Sequence, residues 1–181
     1  GAVKFRAKTA LLQVRRLVRD LGDAVTRTEM GTSMGGLPVI AESRTPLWTE
    51  TSSAERFLVA GKIQNLRVAV RAINGLEINA NETFSFWANV GRTSRRRGYV
   101  SGRELREGCI IPSVGGGLCQ LSNALYDAAL SAGLEIVERH AHTQVIAGSL
   151  AEQGRDATVF WNYVDLRFRS SEAFQIGRAH V

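Results

Sequence analysis

Apolar positions recur at helical spacing in three stretches. Between Ser52 and Asn74, the residues Val59, Ile63, Leu66, Val70 and Ile73 mark one buried face. Ser52 and Glu55 form a capping box at its start, and Gly75 ends it. From Leu118 the stripe is Leu118, Leu121, Leu125, Ala128 and Ala132, with Gly133 placed to stop the helix. Residues 2–21 carry Leu11, Val14, Val18 and Leu21 on one side and Arg15, Arg16 and Arg19 around the rest, closed by Gly22. This basic amphipathic helix fits docking on the domain or lying on a membrane surface.

Alternation predicts strands at Leu76–Ile78, at Thr83–Phe86 with Phe84 and Phe86 on one face, near 99–100, and from Leu134 to Val145. One or two more fall within 157–169, with Leu166 and Phe168 inward. Residues 22–52 hold Pro38 and Pro46 without periodicity and read as a long loop able to cover a cleft. Residues 87–112 are also loop-rich. The expected fold is α+β, a mainly antiparallel sheet packed with helices and preceded by an N-terminal helical arm. The arm is residues 1–52 and the domain 53–175. The ending Ile176–Val181 matches the translation of a common sequencing-library adapter and reads as a non-native tail, so His180 is assigned no role.

The length of 181 residues and 44% hydrophobic content suit one domain with a sizeable core. The net charge of +6 is carried almost wholly by arginine, since lysine occurs only at 4, 8 and 62. A basic surface faces nucleic acid, anionic lipid or an acidic polymer. No aromatic-interleaved basic motif is present, which argues against nucleic acid. Arg95–Arg97 reads as a solvated loop, and Arg92, Arg103 and Arg106 are candidates to reach a substrate carboxylate or phosphate. No apolar run is long enough to span a bilayer and no signal peptide is visible, so localisation stays open.

The chemistry concentrates around the second cysteine. Gly115, Gly116 and Gly117 lead into the helix, and Cys119 sits in its first turn, off the apolar stripe. Ser122, Asn123 and Tyr126 share its face. A thiol at a helix N-terminus is biased toward thiolate. Backbone N–H groups at Gly116, Gly117 and Leu118 are candidates to hold an oxyanion. A disulfide between Cys109 and Cys119 would consume this nucleophile and is not expected. Strand alternation places Glu138, His140 and His142 on one face. Three readings of the histidines compete: a general base for Cys119, a zinc pair, or structural residues. Asp156 and Asp165 are candidates to orient a histidine, and Gln120, Ser122 and Asn123 to contact substrate.

The run Gly115-Gly-Gly-Leu-Cys-Gln-Leu-Ser-Asn123, followed by Gly133-Leu-Glu-Ile-Val-Glu-Arg-His-Ala-His142, resembles the VanW family, named for an accessory protein of vancomycin-resistance gene clusters. The resemblance runs through Asn81–Trp87, Gly91 and Gly154–Phe168 and covers roughly Lys62 to Arg169. Some multidomain members are cysteine L,D-transpeptidases of peptidoglycan. The resemblance therefore implies acyl transfer on peptidoglycan stem peptides, with Cys119 as nucleophile and His142 preferred over His140 as base. It implies a cell-envelope location and no cofactor. The rivals are a non-catalytic accessory module that binds cell-wall peptides in a glycopeptide-resistance system, and a zinc enzyme using Cys119, His140 and His142.

Overall fold

A computed structural model describes residues 2–22, 25, 36–48, 52–106, 109–142 and 150–181, with the side chains of 2–6, 21, 22, 54 and 106 left aside. The order is α1 (Ala2–Gly22), α2 (Ser53–Arg71), β1 (Glu77–Ile78), β2 (Thr83–Ser85), α3 (Phe86–Val90), β3 (Ser101–Arg106), β4 (Cys109–Val114), α4 (Cys119–Ser131), β5 (Glu135–Glu138), β6 (Arg167–Arg169) and β7 (Phe174–Gln175). All these strands pair antiparallel: a central sheet β2-β6-β5, a hairpin β3–β4 and a pair β1–β7. The fold is α+β, as the residue pattern predicts.

The stripe of α2 is buried along its whole length, and Ser52 Oγ accepts from the Glu55 N–H at the N-terminus. Its Leu66, Val70 and Ile73 share one core with Phe84, Phe86, Leu118, Leu121, Leu166 and Phe168. Phe84 and Phe168 stack across β2 and β6 with ring centroids 4.6 Å apart. On α4 the expected stripe is buried at Leu118 and Leu121, but Ser122 and Tyr126 on the Cys119 face are buried as well. Both sides of this helix are therefore covered. Ile176 follows β7 and exchanges backbone hydrogen bonds with Gly75 and Leu76, and the Ala179 N–H donates to Asn74 Oδ1.

Several elements differ from expectation, each for a visible reason. The strand expected from Leu134 to Val145 ends at Glu138, where a bulge shifts its register against β6; residues 143–149 lie outside the described residues. Phe86 opens α3 instead of extending β2, because Ser85 Oγ accepts from the Ala88 N–H and caps the turn. The 99–100 strand becomes a six-residue hairpin arm. Within 157–169 only Arg167–Arg169 forms a strand.

Leu166 and Phe168 face the core as expected, yet Arg167 between them is fully buried too. The opposite side of β6 is covered by α1. That helix docks by its polar side: Gln13, Arg16 and Asp20 are spaced three and four apart. Gln13 donates to the Trp161 carbonyl, Arg16 pairs with Glu138 and donates to the Tyr163 carbonyl, and Asp20 pairs with Arg167. The apolar side faces solvent, with Leu11 68% and Val18 65% exposed. The helix expected over residues 2–21 is present as α1, and its polar side makes the docking contacts.

Candidate active site

Two close backbone crossings and one backbone-to-side-chain contact set the position of Cys119. Gly61 on α2 lies against the Ser101 carbonyl of β3, Gly102 lies against the loop before α4, and Gly117 lies against the stem of Lys62. A Cβ on Gly102 would stand 2.6 Å from the Gly116 oxygen, so this approach requires glycine. The fully buried Asn65 staples the crossing. Its Nδ2 donates to the Val100 and Gly116 carbonyls, both at 3.0 Å, and its Oδ1 accepts from the Val100 N–H at 2.8 Å. Gly115 and Gly117 take positive φ values of 83° and 98°, which turn the chain into α4.

Cys119 is the first residue of α4, and no side chain caps this end. The Gly116 N–H donates to the Ser113 carbonyl at 2.9 Å, so it is not the free donor expected from the residue pattern. Among the described residues no group accepts from the N–H of Gly117, Leu118 or Cys119. An oxyanion at this turn has those three donors available.

Cys119 is a free, partly buried thiol, and Cys109 is a free, exposed one. The Cys119 Sγ lies 3.7 Å from Thr158 Oγ1 and 4.0 Å from the Val159 carbonyl. The His142 imidazole is near enough to act on this thiol through its charge and hydrogen-bonding capacity. That imidazole also meets Asp156: Nδ1 lies 2.8 Å from Oδ2. Asp156 is buried and fixed in turn by Arg139, whose Nη2 lies 2.7 Å from Oδ1 and whose guanidinium stacks 5.2 Å over the Tyr126 ring. The result is a Cys–His–Asp chain assembled from α4, the stretch after β5 and the stretch before β6.

Burial pushes the Cys119 thiol up, but the hydrogen bond and charge of His142 and the Thr158 hydroxyl outweigh it, and the net pKa is lowered. The Val159 carbonyl can only accept from S–H, so we attribute the lowering to His142 and Thr158. His142 moves the opposite way. Its contact with Cys119 raises its pKa most, burial opposes this, and Asp156 adds to the rise. These shifts favour a thiolate–imidazolium pair.

Other expected residues fall elsewhere. His140 is half-exposed and its Nε2 lies 3.2 Å from Glu138 Oε1, so it faces the α1 junction while His142 faces the thiol. The two were expected on one strand face, but the strand has ended before either. Asp165 orients no histidine: Ser85 Oγ, the N–H groups of Trp87 and Leu166, and Arg167 all donate to it. Among the described residues no three His, Cys, Asp or Glu side chains gather as metal ligands, so Cys119, His140 and His142 do not form the zinc set.

Ser122 Oγ donates to the Ala157 carbonyl at 2.5 Å, and Asn123 Oδ1 accepts from the Ala157 N–H at 2.8 Å. These two hold the Asp156–Val159 stretch against α4. Gln120 reaches Thr45 and Pro46. Arg92 is exposed and Arg103 sits 3.5 Å from Glu55, while the Arg106 side chain lies outside the described residues. Thr158, Arg139, Asn65 and Lys62 were not anticipated. Lys62 and Asn65 did leave a signal, as polar residues on the buried side of α2 beside Val59, Leu66 and Ala69. Thr158 left none.

A family profile described as VanW like protein matches residues 61–177. The chain is 41% identical over 106 residues to "Uncharacterized protein YoaR" of Bacillus subtilis, covering 59% of this chain and 34% of that protein. It is 30% identical over 138 residues to "Vancomycin B-type resistance protein VanW" of Enterococcus faecalis, covering 73% of this chain and 49% of that protein. The chain thus spans half or less of the length of these curated relatives. No solved structure matches. Every residue of the Cys119–His142–Asp156 chain lies inside the profile match, and the chain belongs to the VanW family of proteins.

Proposed function

We propose that this domain is a cysteine acyltransferase acting on peptidoglycan stem peptides, of the L,D-transpeptidase type. The observation that carries the reading is the His142 imidazole held by Asp156 at 2.8 Å and acting on the Cys119 thiol, beside a turn with unengaged N–H groups. The Cys119 thiolate attacks the carbonyl carbon of the bond before the terminal residue. The oxyanion forms against the N–H groups of Gly117, Leu118 and Cys119. The His142 imidazolium gives its proton to the departing amine, leaving a thioester on Cys119. An acceptor amine then attacks the thioester, His142 takes the amine proton, and the thiolate returns. Asp156 touches no reacting atom; it is a positioning residue that fixes the ring and supports its charge. The name of the enterococcal relative supports a cell-envelope setting. The exposed apolar stripe of α1, beside the exposed Lys8 and Arg15, supports contact with an anionic membrane surface.

The test is turnover of a stem tetrapeptide. Cys119→Ala removes the nucleophile and little volume, so product release vanishes while peptide binding persists. A wild type that binds the tetrapeptide without ever releasing its terminal residue would instead mark a non-catalytic binding module.

A further inference from the structure

Residues 41–48 carry no regular secondary structure, yet their burial alternates. Ala41, Ser43, Thr45 and Leu47 are half-buried, and Glu42, Arg44, Pro46 and Trp48 are exposed. That is the period of an extended chain. Side chains hold it: Gln120 Nε2 donates to Thr45 Oγ1 at 3.0 Å and to the Pro46 carbonyl at 2.8 Å, and Lys62 Nζ donates to the Leu47 carbonyl at 2.8 Å.

The two donors flank the catalytic turn. Gln120 follows Cys119 directly, and the stem of Lys62 packs on Gly117. Surface hollows of about 370 and 410 Å³ lie elsewhere and neither is lined by Cys119. Lys62 is only 6% exposed, and its partner is a neutral carbonyl. Its pKa is lowered by burial and, further, by the nearby charge of Arg103. A carboxylate at the position of the Leu47 carbonyl would answer the Lys62 charge, which a carbonyl does only weakly.

We infer that Gln120 and Lys62 form a peptide subsite beside Cys119, in which Gln120 takes a main-chain carbonyl and Lys62 takes the C-terminal carboxylate of the substrate, with the protein's own Thr45–Leu47 as its present occupant. This rests on the acyl-transfer reading and goes beyond it by naming the feature of the stem peptide that is recognised. The occupant competes with substrate, so apparent affinity falls by the fraction of time the subsite is open.

The test uses the full chain carrying Cys119→Ala and a fluorescein-labelled stem tetrapeptide, as the free acid and as the C-terminal amide, with binding read by fluorescence anisotropy. The acid should bind about tenfold tighter than the amide, the size of one charge-assisted contact. Lys62→Met should erase that preference. Thr45→Val combined with Leu47→Gly, which loosens the occupant, should tighten acid binding about threefold or more. Equal binding of acid and amide, a preference that survives Lys62→Met, or no gain from the loosened occupant would each overturn the subsite. Iodoacetamide labelling of Cys119 in the unmutated chain is read alongside. Fast labelling with failed peptide discrimination sinks the subsite alone. Slow labelling sinks the thiol–imidazole reading whatever the peptide does.

Discussion

Asp156 grips His142 twice through one carboxylate oxygen. Oδ2 accepts the His142 backbone N–H at 2.7 Å and meets Nδ1 of the ring at 2.8 Å. The first bond sets where the backbone passes, and the second sets the ring's tautomer and tilt. The same carboxyl is anchored through Oδ1 by Arg139, so the imidazole is aimed by a residue that is itself held.

The aim has a measurable consequence in thiol reactivity. An ordinary thiol with a pKa of about 8.5 is only a few per cent thiolate at pH 7. Cys119 is lowered below its ordinary value. Cys119 should therefore alkylate with iodoacetamide several-fold faster than Cys109 at pH 7, although Cys109 is the more exposed. Peptide mapping of partly labelled protein separates the two; equal slow rates would remove the physical basis of the nucleophile assignment.

His142→Ala should raise the Cys119 pKa and slow its alkylation at neutral pH, with the circular dichroism spectrum unchanged. His140→Ala should leave the rate within about twofold, because His140 faces Glu138. The reverse order would transfer the base to His140.

Asp156→Asn keeps shape and removes charge. The Cys119 pH–rate profile should shift to higher pH, because the imidazolium loses its partner. Stability gives a second reading. The Asp156 pKa is lowered; burial opposes the lowering, and the His142 N–H and imidazole and the Arg139 charge produce it. A carboxyl lowered in the folded state stabilises above its unfolded pKa, and that contribution is lost as pH falls through the folded value. The gap in unfolding free energy between wild type and Asp156→Asn should therefore be about 1–3 kcal/mol at pH 7 and close under acid. A gap independent of pH would contradict the charged pairing.

Arg16→Ala tests the docking of α1. It takes from Glu138 its nearest cation. Breaking a buried pair from one side costs about 3 kcal/mol, a Tm drop of about 6–12 °C for a chain of this size. By contrast Val18→Asp should leave Tm unchanged and weaken binding to phosphatidylglycerol vesicles in a flotation assay. Unchanged flotation would remove the membrane proposal.

Periodicity made α2, the extent of α1 and the Cys119 helix legible, because each has a stripe and a capping or stop residue. It failed where polar groups meet other polar groups. Arg167 alternates with Leu166 and Phe168, so it reads as solvent-facing; only the placement of Asp20 and Glu138 on other elements explains its burial. Cys119, His142 and Asp156 were candidates from the residues and the resemblance, but alternation also set His140 on the face of His142, and β5 ends at Glu138 before either. Asp165 and Asp156 look alike in the chain and differ only in what the fold brings to them.

The central claim is that Cys119 attacks an acyl carbon presented by a stem peptide. Its most direct test is intact-mass measurement after mixing the protein with a stem-peptide analogue carrying a nitrile in place of the scissile carbonyl. The thiol adds across the nitrile, S–C formed and the proton moved to nitrogen. One equivalent of analogue mass should appear, mapping to Cys119, absent in Cys119→Ala and slowed in His142→Ala. Protein saturated with the analogue and still at its unmodified mass would contradict the account.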